Sequence, residues 1–128
     1  MMNAVYAGSF DCYTNGHHDI VKKAAVLFDR LYIVIAVNSE KRRRYPAELM
    51  QTAIARTLEN DGLTNCTVCI HDGVVADFCI ENDIGYTIRG LRNRMDYDYE
   101  ENIATVNKLI APNLETVYFR ADKNGMSS

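Results

Sequence analysis

Residues 8–17 of this chain read Gly-Ser-Phe-Asp-Cys-Tyr-Thr-Asn-Gly-His and lie between segments of different periodicity. A short apolar run occupies residues 4–6, and residues 17–28 carry apolar side chains at the spacing of an amphipathic helix. The pattern predicts a strand, a glycine-bounded turn and a helix that begins at His17. Free N–H groups and the positive dipole end of such a helix attract anions. The stretch therefore predicts a phosphate site, where Ser9 offers a hydroxyl and Gly8 permits close approach of the backbone.

The same alternation of strand-length apolar runs and helix-period segments continues along the 128 residues. It predicts strands at residues 4–6, 31–37, 66–70, 86–88 and 116–119, and helices at residues 17–28, 46–60, 75–82 and 97–110. Pro46 suits the first turn of its helix, and Asp61-Gly62 suits a helix stop. Such an order is typical of the α/β class, with a five-stranded parallel sheet and helices on both faces. Because no repeat or linker divides the sequence, residues 1–128 are predicted to form one domain.

Composition and charge exclude several classes of function. The chain is 48% hydrophobic and 24% charged, as in ordinary soluble domains. Its net charge of −3 argues against a nucleic-acid binder, which is usually basic. No apolar run reaches the ~20 residues of a membrane span, and no signal pattern opens the sequence. We therefore expect a cytoplasmic protein with neither nucleic acid nor membrane as a partner.

The four cysteines are expected to be free thiols. Cys66 and Cys69 have the spacing of a redox or zinc pair, but both fall in a predicted strand. Residues three apart on a strand point to opposite faces of the sheet, so the two sulfurs should not converge.

Polar residues of unusual chemistry follow the predicted strands. Ligands of open α/β sheets bind beyond the carboxyl ends of the strands, so these residues are expected to share one phosphate-binding edge. They are His17, Lys41 with the arginines that follow it, Arg89, Arg92, Ser127 and Ser128. Plainer interpretations are open for three of these groups. Thr14 or Asn15 would cap a helix with His17 idle at the surface, residues 41–44 would be a solvated loop, and Arg89 and Arg92 would be surface charges.

Residues 6–17, Tyr-Ala-Gly-Ser-Phe-Asp-Cys-Tyr-Thr-Asn-Gly-His, resemble the first motif of the phosphopantetheine adenylyltransferase family, nucleotidyltransferases marked by a (T/H)xGH signature. Residues 89–92, Arg-Gly-Leu-Arg, and residues 96–100, Asp-Tyr-Asp-Tyr-Glu, resemble its second motif, and the likeness continues through residues 107–117. The resemblance implies a Rossmann-like nucleotidyltransferase fold and transfer of AMP from ATP to 4′-phosphopantetheine, giving dephospho-coenzyme A and pyrophosphate. It also implies Mg²⁺ carried by the ATP phosphates, no metal ligand in the protein, and a homohexamer.

The resemblance implies roles for individual residues. His17 would be the catalytic residue and would stabilise the transition state at the α-phosphate. The residues implied in ATP binding are Ser9, Phe10, His17, Gly90, Leu91, Arg92, Glu100, Ser127 and Ser128. Those implied in binding the acceptor substrate are Ser9, Lys41, Val75 and Arg89. For Glu100 a dipole-stabilising position at a helix start is an alternative, and for Val75 the alternative is core packing. Arg42 would share phosphate binding with Lys41, whereas Arg43 and Arg44 are expected to be exposed.

The sequence departs from the family pattern at three places. Ser9 replaces a threonine and keeps the hydroxyl, while Ala7 and Cys12 replace prolines, which should make the loop less rigid. The segment after Arg120 is short where the family continues through a serine-rich turn into another helix, so the sequence supports the fold and the motifs better than it supports full activity. Two alternatives remain. One is a sibling nucleotidyltransferase for a nicotinamide nucleotide or a polyol phosphate. The other is a shortened, weakly active or non-catalytic homologue that binds nucleotide or coenzyme A.

Overall fold

The structure, a computed structural model, describes residues 2–38, 42–91 and 108–120. Strands and helices alternate along these ranges as β1 Asn3–Gly8, α1 Asn15–Leu27, β2 Arg30–Val37, α2 Ala47–Asn60, β3 Cys66–Asp72, α3 Val75–Glu81, β4 Tyr86–Leu91 and β5 Glu115–Arg120. The five predicted strands are confirmed, each within a few residues of its predicted ends. The predicted helix at 97–110 falls mostly outside the described residues, and its last part, 108–110, is helical.

The five strands form one parallel sheet in the order β3-β2-β1-β4-β5. The chain winds outward from β1 to β3 and then returns to the other side of β1 to form β4. This reversal creates a topological switch point between β1 and β4. Ligands of open α/β sheets bind outside the carboxyl ends of the strands at such a point. The topology therefore predicts a ligand site at the carboxyl ends of β1 and β4.

Helices cover both faces of the sheet, as predicted. On one face, Ile33 and Ile35 of β2 and Ile88 of β4 pack against α1 and α2. On the other face, Val5 of β1 and Val34 of β2 pack against α3 and the segment before β5. Side chains alternate between the two faces along each strand, and both faces are apolar because both are covered.

The end of α2 follows the predicted stop. Asp61 is the C-cap, and Gly62 takes a left-handed conformation with φ of 67°. The N–H of Gly62 donates to Glu59 at 3.1 Å and that of Leu63 donates to Leu58 at 3.0 Å, which is the Schellman pattern. At the other end, Pro46 is the N-cap and lies one residue before the helix, rather than in its first turn.

The cysteines lie as predicted. Cys66 packs against the face covered by α1 and α2, and Cys69 packs against the face covered by α3, so their sulfurs do not converge. Burial raises the pKa of the Cys66 and Cys79 thiols to about 11, whereas Cys12 is exposed. In the described part of the chain, no helix has both the length and the apolar character that crossing a membrane requires.

Candidate active site

The first turn of α1 positions the His17 imidazole. The helix begins at Asn15 with Thr14 as N-cap, so His17 is its third residue and not, as predicted, its first. The backbone N–H of Thr14 donates to His17 Nδ1 at 3.0 Å, and the Thr14 hydroxyl accepts from the backbone N–H of His17 at 3.3 Å. This is a reciprocal capping box in which the imidazole takes the place usually held by Glu or Gln.

The cap fixes the tautomer of His17. Because Nδ1 accepts a hydrogen bond from the N–H of Thr14, the proton of the neutral ring is on Nε2. The Thr14 hydroxyl also lies 3.2 Å from Nδ1. The plain interpretation, a threonine cap, and the functional interpretation, an oriented histidine, are therefore parts of the same arrangement. The cap leaves the imidazole with an N–H donor on the far side of its ring.

Aromatic rings surround the His17 imidazole. The ring of Phe10 stands perpendicular to it at a centroid distance of 5.0 Å, and that of Tyr13 lies near-parallel to it, at 30° and 5.8 Å. Tyr6 is a third neighbour at 6.4 Å. Tyr6 and Phe10 are buried. Packing and the cap together restrict the imidazole to one orientation.

Phe10 has an unusual backbone conformation. Its φ of 45° lies in the left-handed region, which is strained for a residue with a side chain. The conformation turns its ring back over Gly8, where an added Cβ would lie 3.4 Å from the Phe10 ring. The close neighbour of Gly8 within the chain is therefore the Phe10 ring, and the close approach of a ligand to its backbone stays a prediction. Ser9, between the two, is exposed at the carboxyl end of β1.

A cross-loop brace joins the segment after β1 to the segment after β2. The Asp11 carboxylate accepts the backbone N–H groups of Arg44 at 2.6 Å and Tyr45 at 2.8 Å. The Arg43 guanidinium donates to the carbonyl oxygens of Ser9 at 2.6 Å and Phe10 at 3.4 Å. The prediction that Arg43 is merely exposed is wrong: it is half-buried because its donors satisfy carbonyls of the neighbouring loop. The brace holds the loop that carries Ser9 and Phe10.

Replacing Asp11 with asparagine is expected to lower the free energy of unfolding near neutral pH, and less so in acid. The backbone N–H of Arg44 is the main cause that holds the pKa of the Asp11 carboxyl below its ordinary value of 3.8. A lowered folded-state pKa contributes stability above the unfolded value, and this contribution is lost as the pH falls through the folded value. Urea unfolding at about pH 7 and about pH 3 measures the difference.

Asp72, an exposed residue at the end of β3, provides the matched control as Asp72→Asn. The difference in free energy of unfolding between native protein and Asp11→Asn should shrink from about pH 7 to about pH 3. The corresponding difference for Asp72→Asn should change less. A difference for Asp11→Asn that is the same at both pH values would show that the charge of the carboxylate does not hold the loops together.

Arg89 reaches the end of β1 from the other face of the sheet. Its guanidinium donates to the carbonyl oxygen of Ala7 at 3.4 Å. Ile88 and Gly90, on either side of it, face α1, so alternation along the strand places Arg89 on the face of α3. His17 and Arg89 thus flank the carboxyl end of β1 from opposite faces. Of the predicted site residues, the structure brings Ser9, Phe10, His17, Arg89 and Gly90 to the switch point.

Gly90 is a point of close approach between β4 and α1. A Cβ added to Gly90 would lie 2.4 Å from Cδ1 of Ile20, which is buried on the same helix as His17. The absence of a side chain at Gly90 therefore sets how near α1, and with it His17, lies to β4. Leu91 ends β4 opposite Arg120. The half-buried Val75 begins α3 and packs against the apolar side chains between α3 and the sheet. The core-packing alternative for Val75 matches its position.

Gly90→Ala is expected to lower the free energy of unfolding by about 1–3 kcal/mol, because its methyl group must displace Ile20. Ile20→Val removes Cδ1 and is expected to cost about 1 kcal/mol alone. In the double variant the overlap is gone, so the combined loss should be smaller than the sum of the two by about 1 kcal/mol. Urea unfolding of the four proteins measures this coupling. Additive losses would mean that α1 does not pack against β4 through this contact.

The remaining predicted site residues lie outside the described residues. They are Lys41, Arg92, Glu100, Ser127 and Ser128. Within residues 2–38, 42–91 and 108–120, no group of three or more His, Cys, Asp or Glu side chains could hold a metal ion. A groove of about 760 Å³ lies between α2 and the edge strand β3, and the predicted site residues do not line it.

The sheet order β3-β2-β1-β4-β5 and its parallel strands define a doubly wound α/β protein, and the comparisons agree. The cytidylyltransferase-like family model matches residues 5–128. A bifunctional NMN adenylyltransferase/ADP ribose pyrophosphatase from Francisella tularensis, solved with AMP and a manganese ion, superposes with a TM-score of 0.68. The alignment covers 96% of this chain and 38% of that one at 14% identity, which shows a shared fold. The Rossmann-like nucleotidyltransferase fold is confirmed.

Two relatives with similar sequences identify the family within this fold class. The phosphopantetheine adenylyltransferase of Shouchella clausii (strain KSM-K16) is 36% identical over 124 residues, which cover 97% of this chain and 77% of that protein. The phosphopantetheine adenylyltransferase of Streptococcus pyogenes serotype M1 is 43% identical over 115 residues, covering 89% of this chain and 69% of that protein. The chain belongs to the phosphopantetheine adenylyltransferase family.

Proposed function

We propose that this protein transfers the adenylyl group of ATP to 4′-phosphopantetheine, releasing pyrophosphate and forming dephospho-coenzyme A, a step of coenzyme A biosynthesis. The observation that most supports the proposal is the His17 imidazole, oriented by its capping box at the β1–β4 switch point, in a chain 43% identical to a relative of that name. The chain as a whole, residues 1–128, acts as one nucleotidyltransferase domain.

The proposed reaction needs alignment and charge neutralisation more than proton transfer. The nucleophile is a phosphate oxygen that is already anionic, so no general base is required. Negative charge gathers on the α-phosphate of ATP as the new bond forms and pyrophosphate leaves. A preorganised donor aimed at that charge lowers the barrier. His17 Nε2–H is this donor in the proposed mechanism, because Nδ1 is engaged by Thr14.

Arg89 and Ser9 bind the acceptor in this proposal. A guanidinium presents paired N–H donors that match a phosphate bidentately, and Arg89 lies at the end of β1, across the sheet from His17. Ser9 is exposed at the same end. Lys41 and Val75 complete the acceptor site by resemblance. Two substrates held on either side of this strand end would meet in line at the α-phosphate.

The other ATP contacts are proposed by resemblance to the family. They involve Ser9, Phe10, Gly90, Leu91, Arg92, Glu100, Ser127 and Ser128. Phe10 is 3% exposed, and its ring packs on His17, so Phe10 contributes chiefly by holding the imidazole. Gly90 allows α1 to pack closely on β4, and its backbone groups are proposed to contact ATP.

We propose Mg²⁺ as a companion of ATP. Bound to the phosphates, it would neutralise part of their charge. The described residues offer it no ligand set of three or more His, Cys, Asp or Glu side chains. A cytoplasmic location and a homohexamer are further proposals, supported by the resemblance to the family.

A pyrophosphate-release assay over a small panel of acceptors tests the function. The panel holds 4′-phosphopantetheine, nicotinamide mononucleotide and glycerol phosphate, each with ATP and Mg²⁺. Release with 4′-phosphopantetheine alone is the expected result. Release with another acceptor in its place would identify a sibling nucleotidyltransferase. No release with any acceptor, together with binding of ATP or coenzyme A by calorimetry, would indicate a non-catalytic homologue.

A further inference from the structure

Three polar side chains form a chain that ends against the imidazole of His17. Asp61, the C-cap of α2, accepts through Oδ2 from Nε2 of His18 at 2.5 Å. Nδ1 of His18 lies 2.8 Å from the hydroxyl of Tyr13. The ring of Tyr13 lies near-parallel to that of His17. The end of α2 is thus linked, through α1, to the ring proposed to contact the α-phosphate.

The hydrogen bonds of this chain have one consistent direction. Burial raises the pKa of the Tyr13 hydroxyl, so it keeps its proton and donates to Nδ1 of His18. In the tautomer that carries its proton on Nε2, His18 then donates to the carboxylate of Asp61. That hydrogen bond is the main cause that holds the pKa of Asp61 below its ordinary value. Each ring nitrogen of His18 has a partner, as in a histidine whose orientation is fixed by its neighbours.

Tyr13 occupies a position from which it can orient His17 in two ways. Its ring is the near-parallel neighbour of the imidazole, and its backbone leads directly into Thr14, whose N–H sets the tautomer. Tyr13 belongs to the loop between β1 and α1, so its backbone is part of neither a strand nor a helix. The hydrogen bond to His18 therefore connects this loop residue to two helices.

We propose that Tyr13, His18 and Asp61 are positioning residues that hold the His17 imidazole, and its Nε2–H, in the direction of the α-phosphate. The inference rests on the proposed function for its catalytic consequence. It adds three residues that the family motifs did not assign to the site. Small displacements of a catalytic group lower a rate strongly, so the network should act on turnover more than on substrate affinity.

The first test compares native protein with Tyr13→Phe, which keeps the ring and removes the hydroxyl. Turnover is expected to fall about tenfold, with KM for ATP and for 4′-phosphopantetheine changed less than about twofold. Asp61→Asn, at the exposed end of the network, should lower turnover by about threefold. Glu59→Gln, which removes an exposed carboxylate from the last turn of the same helix, is the matched control and should leave turnover unchanged.

A second readout does not depend on activity. Nitrogen-15 NMR of the histidine rings reports which nitrogen of His17 carries the proton. Native protein should show a protonated Nε2 and an unprotonated Nδ1. In Tyr13→Phe the loop that carries Thr14 loses its hydrogen bond to His18, so the Thr14 cap should weaken and both signals should shift toward the average of the two tautomers. This shift would support the positioning network even if no acceptor were adenylylated, in which case only the proposed function would fail.

The proposal is overturned if folded Tyr13→Phe and Asp61→Asn keep both native turnover and the native His17 signals. A loss of stability without either change would likewise overturn it, because the network would then be purely structural. If Tyr13→Phe does not fold, Asp61→Asn decides the question by the same two readouts.

Discussion

Substitution of His17 by alanine is expected to lower the rate of adenylyl transfer by about a hundred- to a thousandfold, or about 3 kcal/mol of transition-state stabilisation. The imidazole is held by the cap at Thr14 and by the ring of Phe10, and in the proposed mechanism its Nε2–H is preorganised for the charge that develops on the α-phosphate. Alanine removes this donor. Steady-state pyrophosphate release measures the loss, and KM for both substrates should change much less than turnover.

His17→Gln separates catalysis from helix capping. A glutamine at the third helical position can still accept the N–H of the N-cap residue, as in the usual capping box, but it has no imidazole N–H. Stability should therefore be closer to native in His17→Gln than in His17→Ala, while both variants lose activity to a similar extent. Native turnover in either variant would remove His17 from the mechanism.

Arg89→Ala is expected to lower kcat/KM for 4′-phosphopantetheine by about a hundredfold. A guanidinium that donates to a phosphate makes charged hydrogen bonds, each contributing about 1.5–3 kcal/mol, and alanine loses them. The effect on kcat/KM for ATP should be several times smaller, because Arg89 approaches β1 from the face opposite His17. Initial rates with each substrate varied in turn measure the two constants.

Arg89→Lys is the matched variant for this prediction. Lysine keeps the positive charge but lacks the planar guanidinium group, so Arg89→Lys should recover only part of the native kcat/KM for 4′-phosphopantetheine. A variant in which ATP binding alone is weakened would reverse the assignment of the two substrate sites.

The fold could be predicted from the sequence because its signals are local. Apolar runs such as residues 31–37 are too short for helices and too uniform for exposed strands, and helix-period segments separate them. The start of α1 was predicted two residues late because its capping box uses a histidine where Glu or Gln is usual. The stop at Asp61-Gly62 was predicted correctly, since a glycine after a helix signals the left-handed conformation.

The placement of candidate site residues at the switch point could be predicted only where the residues are contiguous in the sequence or follow successive strands. His17 and Arg89 are of this kind. The brace between Asp11 and the backbone at Arg44 joins residues 33 positions apart, and nothing in either segment specifies the other. The link between His18 and Asp61 spans 43 positions. Such contacts depend on how segments distant in the sequence pack in three dimensions, so only the structure reveals them. The one sequence feature that could have indicated the brace is Asp11, an acidic residue within a turn otherwise suited to anions.

The most direct test of adenylyl transfer follows the α-phosphorus of ATP. ATP labelled at that atom is incubated with 4′-phosphopantetheine, Mg²⁺ and the native protein, and the products are separated and identified by mass. The proposed function predicts that the label appears in dephospho-coenzyme A and that unlabelled pyrophosphate is released in equal amount. Label that remains in ATP, ADP or free AMP, with no labelled dephospho-coenzyme A, would contradict it.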